Sequence, residues 1–537
     1  MFNRIFRKVR DSIKYGTGIN VSGGDEHQSQ VDSRLDNNLQ RLKGIFEGCA
    51  DVVFREFSLG TEEPVRAALL FVEGLVEMVA INENIMKPLM YEAGHRNPAI
   101  TNIFKLVKEK ALTIGKVNET TNMEEVVEFI LSGYAAIFID GSQQVMLAHV
   151  RGGEHRAVEE PSSEVVVRGP REAFTETLHT NISLVRRRLK NPDLKVEMRK
   201  VGRRTKTDLA ILYIKGIVNE KIIREVKERL NRVDVDGTVA SRSLGEIIQD
   251  TSWTPFPLIT YTERPDKLTA QLLEGRVAIM VDGTPIILTV PVLFMEQLQS
   301  SEDYYEGFFP ASAIRLLRFM AINIALLLPS LYVAVTTFHQ EMLPTPLLIS
   351  LAGAREGVPF PAFVEALVME ITFEILREAG IRLPRPAGQA VSIVGALVIG
   401  DAAVSAGIVS PAMVIIVSLT GIASFTIPGY SFALALRLLR FPIMFLAATL
   451  GLFGIMMGLI FLLIHLVSLR SFGMPYMSPI APATYGDWKD TFVRFPWWAM
   501  VTRPRLIGQK DPVRQARGLQ PKPPDKDKGG SGNPGSR

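Results

Sequence analysis

The stretch FMAINIALLLPSLYVAVTTF, residues 319–338, decides the class of this protein. A helix needs roughly 20 apolar residues to cross about 30 Å of hydrocarbon, and this stretch contains no charged side chain. Arg315 and Arg318 lie just before it and Glu341 lies just after it. The positive-inside rule therefore places the preceding residues in the cytoplasm. We predict an integral membrane protein with a large soluble N-terminal region.

Three further apolar segments extend the membrane region. Residues 389–409 and 411–430 are each long enough to cross, and residues 441–468 form either one long span or a kinked pair of half-spans. Arg437 and Arg440 follow the segment 411–430, which suggests that this segment ends in the cytoplasm.

The segment PFPAFVEALVMEITFEILREAG (359–380) is ambiguous because it is apolar but carries several charges. Its acidic membrane-helix candidates are Glu365, Glu370 and Glu374. So many charges disfavour a lipid-exposed span; the segment is a re-entrant or in-plane element, or a helix that faces water and neighbouring chains. The 12 Lys/Arg against 5 Asp/Glu in residues 470–537 favour a cytoplasmic tail. An even number of crossings, four or six, places both the N-terminal region and the tail in the cytoplasm.

Small residues fall on one helical face of the segment 389–409. Such a face allows close helix packing in lipid, or lines a pore when it is repeated around an oligomer axis. Asp401 lies deep in the same run, where an ionisable side chain indicates function. It would attract cations in a ring, pair with an arginine, or lie near the outer surface. The pore or packing candidates are Ser392, Gly395, Ile399, Asp401, Ala402 and Ala406.

The residues before the membrane region indicate an α/β fold. Two similar strings, GYAAIFIDGS (133–142) and GRVAIMVDGT (275–284), each predict a strand, a type I′ Asp-Gly turn and a second strand. They indicate either an internal duplication or the same hairpin formed twice. Between them, alternating patterns from SEVVVRG (163–169) to the helix NEKIIREVKERLNRV (219–233) predict a βαβ-like series.

The chain therefore divides into five predicted segments. They are a disordered arm and linker (1–36), a helical and mixed subdomain (37–122), an α/β cytoplasmic subdomain (123–312), a transmembrane helical domain (313–470) and a basic cytoplasmic tail that is disordered at its end (471–537).

The sequence gives no argument for catalysis, a cofactor, a metal or nucleic acid. It lacks the phosphate-binding, zinc-protease and serine-hydrolase motifs, and Cys49 is the single cysteine. The net charge of +4 is small. The basic clusters Arg186–Arg188 and Arg203–Arg204 either bind anions or lipid headgroups or form a solvated face.

Three long strings carry a family resemblance: residues 163–190, residues 207–223 and the membrane stretch 359–428. They resemble the A subunit of GerA-type spore germination receptors, or the closely related A-like protein of the SpoVA group, from about residue 40 to 485. The resemblance implies a multi-pass protein of the spore inner membrane that forms a ring-shaped homo-oligomer, a pentamer. It implies a transporter-like B subunit that binds the nutrient and a C-subunit lipoprotein as partners. It also implies that this subunit forms the channel for monovalent cations.

Three hypotheses follow from these observations. The first is the channel-forming subunit of a nutrient-responsive receptor, in which the helix 389–409 forms the pore ring. A transporter subunit would instead have broken helices and a midplane substrate site. A non-conducting scaffold would recruit other germination proteins through residues 37–300.

Overall fold

The computed structural model describes residues 30–59, 65–92, 104, 116–152, 160–161, 164–238, 240–383, 400–508 and 510–522. The predicted arm and linker lies mostly outside these residues. Its last part nevertheless belongs to the fold, because Gln30 forms a β-bridge with Asn122 and the side chain of Val31 is buried.

The first α/β subdomain is a five-stranded sheet covered by helices on both faces. Leu35, Leu39 and Leu42 recur at helical spacing and bury one face of the first helix. The Asn122 side chain caps the third helix by accepting from the backbone N–H of Glu124. The elements are α1 (Leu35–Ile45), β1 (Val52–Leu59), β2 (Val65–Val72), α2 (Met78–Ile81), β3 (Val117–Thr120), α3 (Met123–Leu131), β4 (Tyr134–Ile139) and β5 (Val145–His149), in the sheet order β1-β2-β4-β5-β3.

The second subdomain repeats this arrangement. Apolar clusters on both faces of its sheet make it a three-layer core. The elements are α4 (Leu178–Arg188), β6 (Leu194–Val201), β7 (Thr207–Ile214), α5 (Glu220–Asn231), α6 (Ser241–Ile248), β8 (Thr260–Thr262), α7 (Pro265–Leu273), β9 (Val277–Val281) and β10 (Ile287–Val290), in the order β6-β7-β9-β10-β8.

The two subdomains have an equivalent hydrogen bond as well as the same strand order. Asp140 accepts from the backbone N–H of Leu35, the first residue of α1, at 2.9 Å. Asp282 accepts in the same way from Leu178, the first residue of α4, at 3.0 Å. The two Asp-Gly hairpins therefore occupy equivalent places in two copies of one topology, which favours duplication over coincidence.

Several predictions about this region are wrong in detail. The predicted boundary after residue 122 cuts through the first sheet, because β3 pairs with β5. Every named strand pairing in the two described sheets is antiparallel, so the series is not βαβ. The described part of SEVVVRG forms no strand, and Val165 and Val167 are exposed. The hairpin turns have positive φ only at Gly141 and Gly283, so they are not type I′.

A buried ion pair joins the two subdomains. Arg186 donates to both carboxylate oxygens of Asp51, at 2.8 and 2.9 Å, and both side chains are almost completely buried. Val196 forms a parallel bridge to Cys49 beside this pair. Arg186 is therefore a structural residue, and Arg203 and Arg204 pair with aspartates at the surface. Aspartates within the protein therefore compensate Arg186, Arg203 and Arg204.

A helical bundle follows the second subdomain. Its elements are α8 (Glu302–Tyr305), α9 (Phe308–Thr337), α10 (Thr345–Arg355), α11 (Ala362–Arg382), α12 (Gly400–Ser405), α13 (Pro411–Phe425) and α14 (Tyr430–Ser468). Of the described helices, α9 and α14 are long and apolar enough to cross a membrane, and α13 is a shorter apolar helix.

The helices of the bundle run between two ends. We call the end where α9 begins the domain-side end, and the end where α9 finishes the far end. Met413, at the start of α13, packs with Tyr332 and with Ala362, at the start of α11. Both helices therefore begin at the far end, and Phe373 contacts Phe425 where they approach the domain side.

The chain reverses inside α14, at Gly451. This glycine has φ +63° and ψ −140°, outside the helical region. A side chain at Gly458 would contact Ile443 and Leu446, which would lie about 18–22 Å away along a continuous helix. Gly451 itself lies against His339 at the far end. The predicted segment 441–468 therefore forms a helical hairpin that bends at Gly451 and returns to the domain side. Within this segment, the first arm is shorter than the second.

The tail packs against the folded protein at least to residue 508. The Ser471 hydroxyl donates to the carbonyl of Leu258 and accepts from the backbone N–H of Val292. The Arg503 side chain is largely buried and donates to the carbonyl of Leu273. The start of the predicted tail is therefore part of the domain, and its last residues, 523–537, lie outside the described residues.

Candidate functional site

Three glutamates of α11 form the most unusual feature of the bundle, an ion-paired ladder. We use "Glu–Arg ladder" for Glu365, Glu370 and Glu374 together with Arg355, Arg440 and Arg437. These carboxylates lie in the first two thirds of α11 (Ala362–Arg382), so the three ion pairs follow one another from the far end into the middle of the bundle.

The ion pair of the Glu–Arg ladder nearest the far end combines an arginine with a helix N-terminus. Glu365 is completely buried and pairs with Arg355 at 3.2 Å. Its other oxygen accepts from the backbone N–H and the hydroxyl of Ser410, at 2.9 and 2.8 Å. Ser410 caps α13, and the positive end of a helix dipole stabilises a carboxylate there.

The other two ion pairs of the Glu–Arg ladder join α11 to α14. Glu370 and Arg440 form an ion pair in which both side chains are almost fully buried. The Nε of Arg440 also donates to the carbonyl of Ala325 on α9 at 2.7 Å, so one guanidinium joins three helices. Glu374 accepts from Arg437 at 2.9 Å and lies 3.5 Å from Arg377. Glu365 and Glu370 therefore face the interior of the bundle and Glu374 is partly buried, whereas Glu378 is exposed.

The ladder gives Arg437 and Arg440 a structural role that the sequence did not indicate. They lie in the first arm of α14, which begins at Tyr430, and pair with α11; that the segment 411–430 ends in the cytoplasm stays a prediction. Their partners are 63 and 70 residues away in sequence. In the sequence, a charged residue that flanks a membrane span looks the same as one that forms an ion pair inside the bundle. Only the repeated glutamates of α11 therefore indicated the ladder.

A second charged cluster joins the domain, the bundle and the tail. We call Asp303, Arg315, Arg318, Asp490 and Tyr304 the junction cluster. Asp303 binds both Arg318, at 2.7 Å, and Arg315, at 3.3 Å. Arg315 continues to Asp490 of the tail at 2.8 Å.

Tyr304 completes the junction cluster. Its hydroxyl donates to Asp490 at 2.8 Å, and burial raises the pKa of this phenol well above its usual value. The phenol therefore remains a hydrogen-bond donor across the physiological pH range. Arg315 and Arg318 precede the apolar run as the positive-inside rule expects, but here they are buried structural groups.

The small-residue face lies only partly within the described residues. Ser392, Gly395 and Ile399 lie outside them. Asp401, Ala402 and Ala406 are exposed on the isolated chain, close to the far end. No basic side chain of the described residues forms an ion pair with Asp401, in contrast to the three glutamates of the ladder.

The comparisons with known proteins assign the family. A family model described as the Bacillus/Clostridium GerA spore germination protein matches residues 40–506. This chain belongs to the GerA family. The match reaches beyond residue 485, where the sequence resemblance was expected to end, and includes the tail segment that packs against the domain.

Similar GerA-family proteins span nearly the whole chain. Spore germination protein KA of Bacillus subtilis (strain 168) is 47% identical over 493 residues, which cover 92% of this chain and 90% of that protein. The uncharacterized membrane protein YfkQ of the same organism is 46% identical and covers 93% of this chain and 96% of its own. Spore germination protein GerLA of Bacillus cereus is 40% identical, covering 90% and 97%.

One solved structure is also similar. It is the N-terminal domain of the A subunit of the Bacillus megaterium spore germinant receptor GerK3, at 35% identity. The similarity covers 50% of this chain and 98% of that structure, with a TM-score of 0.41.

Proposed function

We propose that this GerA-family protein is the membrane subunit of a nutrient-responsive spore germination receptor that forms an oligomeric channel for monovalent cations. Two apolar helices and an interior of compensated charges suit a membrane protein. The named germination proteins among its relatives support the process in which it acts.

The proposed topology has six crossings and a cytoplasmic α/β domain. α9 and the first arm of α14 run outward, while α11, α13 and the second arm run back. Residues 384–409 would supply the sixth crossing, because Arg382 ends a helix that runs toward the domain side and Gly400 lies against Val414 near the far end. With six crossings the basic tail returns to the side of the domain, as the charge balance favours. The proposed location is the spore inner membrane.

One observation carries the channel proposal: the carboxylates inside the bundle are ion-paired, whereas Asp401 is exposed. Compensated charges do not attract a passing cation, so we do not place the path inside one bundle. An exposed acid at the far end, repeated around an oligomer axis, would form the ring that attracts cations. Ser392, Gly395, Ile399, Ala402 and Ala406 would provide close helix packing rather than line that path, because on a continuous helix they would lie about 100–180° around the axis from Asp401.

The proposed partners follow from the family. A transporter-like B subunit would bind the nutrient, and a C-subunit lipoprotein would complete the receptor. The nutrient would then act by binding more tightly to the arrangement in which the ring is open, because only such differential binding shifts a conformational equilibrium.

The experiment is planar-bilayer recording of the purified full chain, with the oligomer counted by electron microscopy of the same preparation. We expect a closed ring and cation-selective openings. Asp401→Asn should lower the conductance or the cation selectivity, whereas Glu341→Gln, which neutralises an exposed acid outside the proposed ring, should leave both unchanged. A monomer without openings, or an Asp401→Asn channel identical to the parent, would contradict the proposal.

A further inference from the structure

Three of the four tryptophans are exposed on the surface of this chain. Trp253 is 93% exposed, Trp497 is 45% exposed and Trp498 is 37% exposed. The fourth, Trp488, is half-buried and donates its indole N–H to the carbonyl of Pro479 at 3.1 Å. Large exposed aromatic surfaces commonly mark a contact with another phase or molecule.

Trp253 stands beside the end of the last membrane-type helix. The neighbouring Thr254 hydroxyl lies 2.9 Å from Nε2 of His465, in the last turn of α14. Phe256 packs nearby against the His465 ring, with 6.3 Å between the ring centroids. A loop of the second α/β subdomain therefore places an exposed indole at the domain-side end of the bundle.

Trp497 and Trp498 reach the same end from the tail. The tail runs along the start of α9: Phe492 contacts Phe319, with 5.2 Å between the ring centroids, and the Ser312 hydroxyl donates to the carbonyl of Arg494 at 3.0 Å. Trp497 then packs against Tyr304 at 5.9 Å. Two segments that are far apart in sequence thus carry exposed indoles to one end of the bundle.

The surface next to these indoles is apolar and continuous with the membrane helix. Exposed side chains on the first turns of α9 include Phe309, Leu316 and Leu317, and the exposed apolar face continues through Phe319 and Met320 into the predicted span. A water-facing helix start would instead carry polar residues on its exposed face.

We propose that Trp253, Trp497 and Trp498 form an aromatic anchor that sits in the headgroup layer of the bilayer on the domain side. Indole rings prefer this layer because they combine an apolar body with one N–H donor. The headgroup layer is only about 5–8 Å thick on each side. The anchor therefore fixes the depth of α9 and α14 and holds the α/β domain close to the lipid surface.

The test measures the depth of each indole by fluorescence quenching in vesicles of phosphatidylcholine and phosphatidylglycerol. Full-length variants keep either Trp253 alone, the pair Trp497 and Trp498, or Trp488 alone, with the other tryptophans replaced by phenylalanine. The lipids carry a nitroxide either near the headgroup or near the chain end, and acrylamide reports exposure to water. Trp488 is the matched control because its indole is already occupied within the protein.

The anchor predicts quenching of Trp253 and of the pair that is at least about twofold stronger with the shallow label than with the deep label. Trp488 should show little dependence on either label. Strong quenching by acrylamide without quenching by lipid would overturn the proposal, because the indoles would then face water. Protection from both quenchers would also overturn it, since the indoles would then be covered by another protein surface.

Discussion

Removing one partner of the Glu370–Arg440 pair should destabilise the bundle far more than removing both. Glu370 is completely buried and Arg440 is 1% exposed, so neither charge can be rehydrated without opening the bundle. Breaking such a pair from one side typically costs about 3–5 kcal/mol, because the remaining charge is left uncompensated. Replacing both partners by apolar groups of similar volume is often nearly neutral.

The expected values follow for Glu370→Leu, Arg440→Met and the double variant. Each single change should destabilise the bundle by about 3–5 kcal/mol, whereas the double variant should lie within about 1–2 kcal/mol of the parent. The carbonyl of Ala325 remains as one partner of Arg440 when Glu370 is removed. That single neutral acceptor does not replace a carboxylate, so we expect Glu370→Leu to retain most of the penalty.

Protection of a buried thiol can measure these differences. In a Cys49→Ala background, Val417→Cys places one thiol at a position that is 2% exposed beside the ladder. Its modification rate in detergent reports the population of the opened bundle. Single variants should react about 10²- to 4 × 10³-fold faster than the parent, and the double variant within about 30-fold. Additive effects would refute the reasoning, because they would show that the two charges do not compensate each other.

Three further predictions concern other parts of the chain. Asp51→Asn should leave Arg186 buried without a counter-charge and cost about 3–5 kcal/mol; faster labelling of Cys49, measured against the parent, checks this. Burial acts to raise the pKa of Glu197, but the hydrogen bonds from Lys227 and Tyr213 outweigh it and lower this pKa. The stabilisation from Glu197 is therefore present above the unfolded pKa and is lost as the pH falls through the lower folded pKa. Thermal melts from pH 7 to pH 3 should therefore depend less on pH in Glu197→Gln. Gly451→Ala should destabilise the hairpin by about 1–3 kcal/mol because φ is positive, and Gly353→Ala, on the exposed helix α10 with open space around it, is the control in the same melts.

Local signals in the sequence identified elements but not their partners. The strands of the two Asp-Gly hairpins were predicted correctly because each strand, turn and strand is contiguous, whereas the predicted turn type was wrong. The boundary after residue 122 was wrong because β3 joins its sheet through a strand that follows later in the chain. SEVVVRG contains a run of β-branched residues that is typical of a strand, yet its described residues pair with no strand, and Val165 and Val167 remain exposed. Such a run forms a strand only where a sheet edge is available to receive it.

The charged residues of the membrane region show the same limit more clearly. Sequence windows identified Glu365, Glu370 and Glu374 as unusual, because an acid in an apolar helix requires a partner. They could not identify the arginines of α14 as those partners, because pairing across the bundle depends on how three helices pack. The reversal at Gly451 was left open for a similar reason: the glycine-rich run suits a bend, but the choice between one long helix and a hairpin depends on its packing against α9.

The junction cluster constrains how this protein can change shape. Asp303 compensates two buried arginines at the start of α9, and one of them also holds Asp490 of the tail. Sliding α9 relative to the α/β domain would break these contacts together, at a cost of several kcal/mol for each uncompensated charge. The ladder imposes the same restriction between α11 and α14. In the proposed oligomer, a rotation of whole protomers would break none of these pairs, so movement between copies would be the less costly route to the proposed open ring.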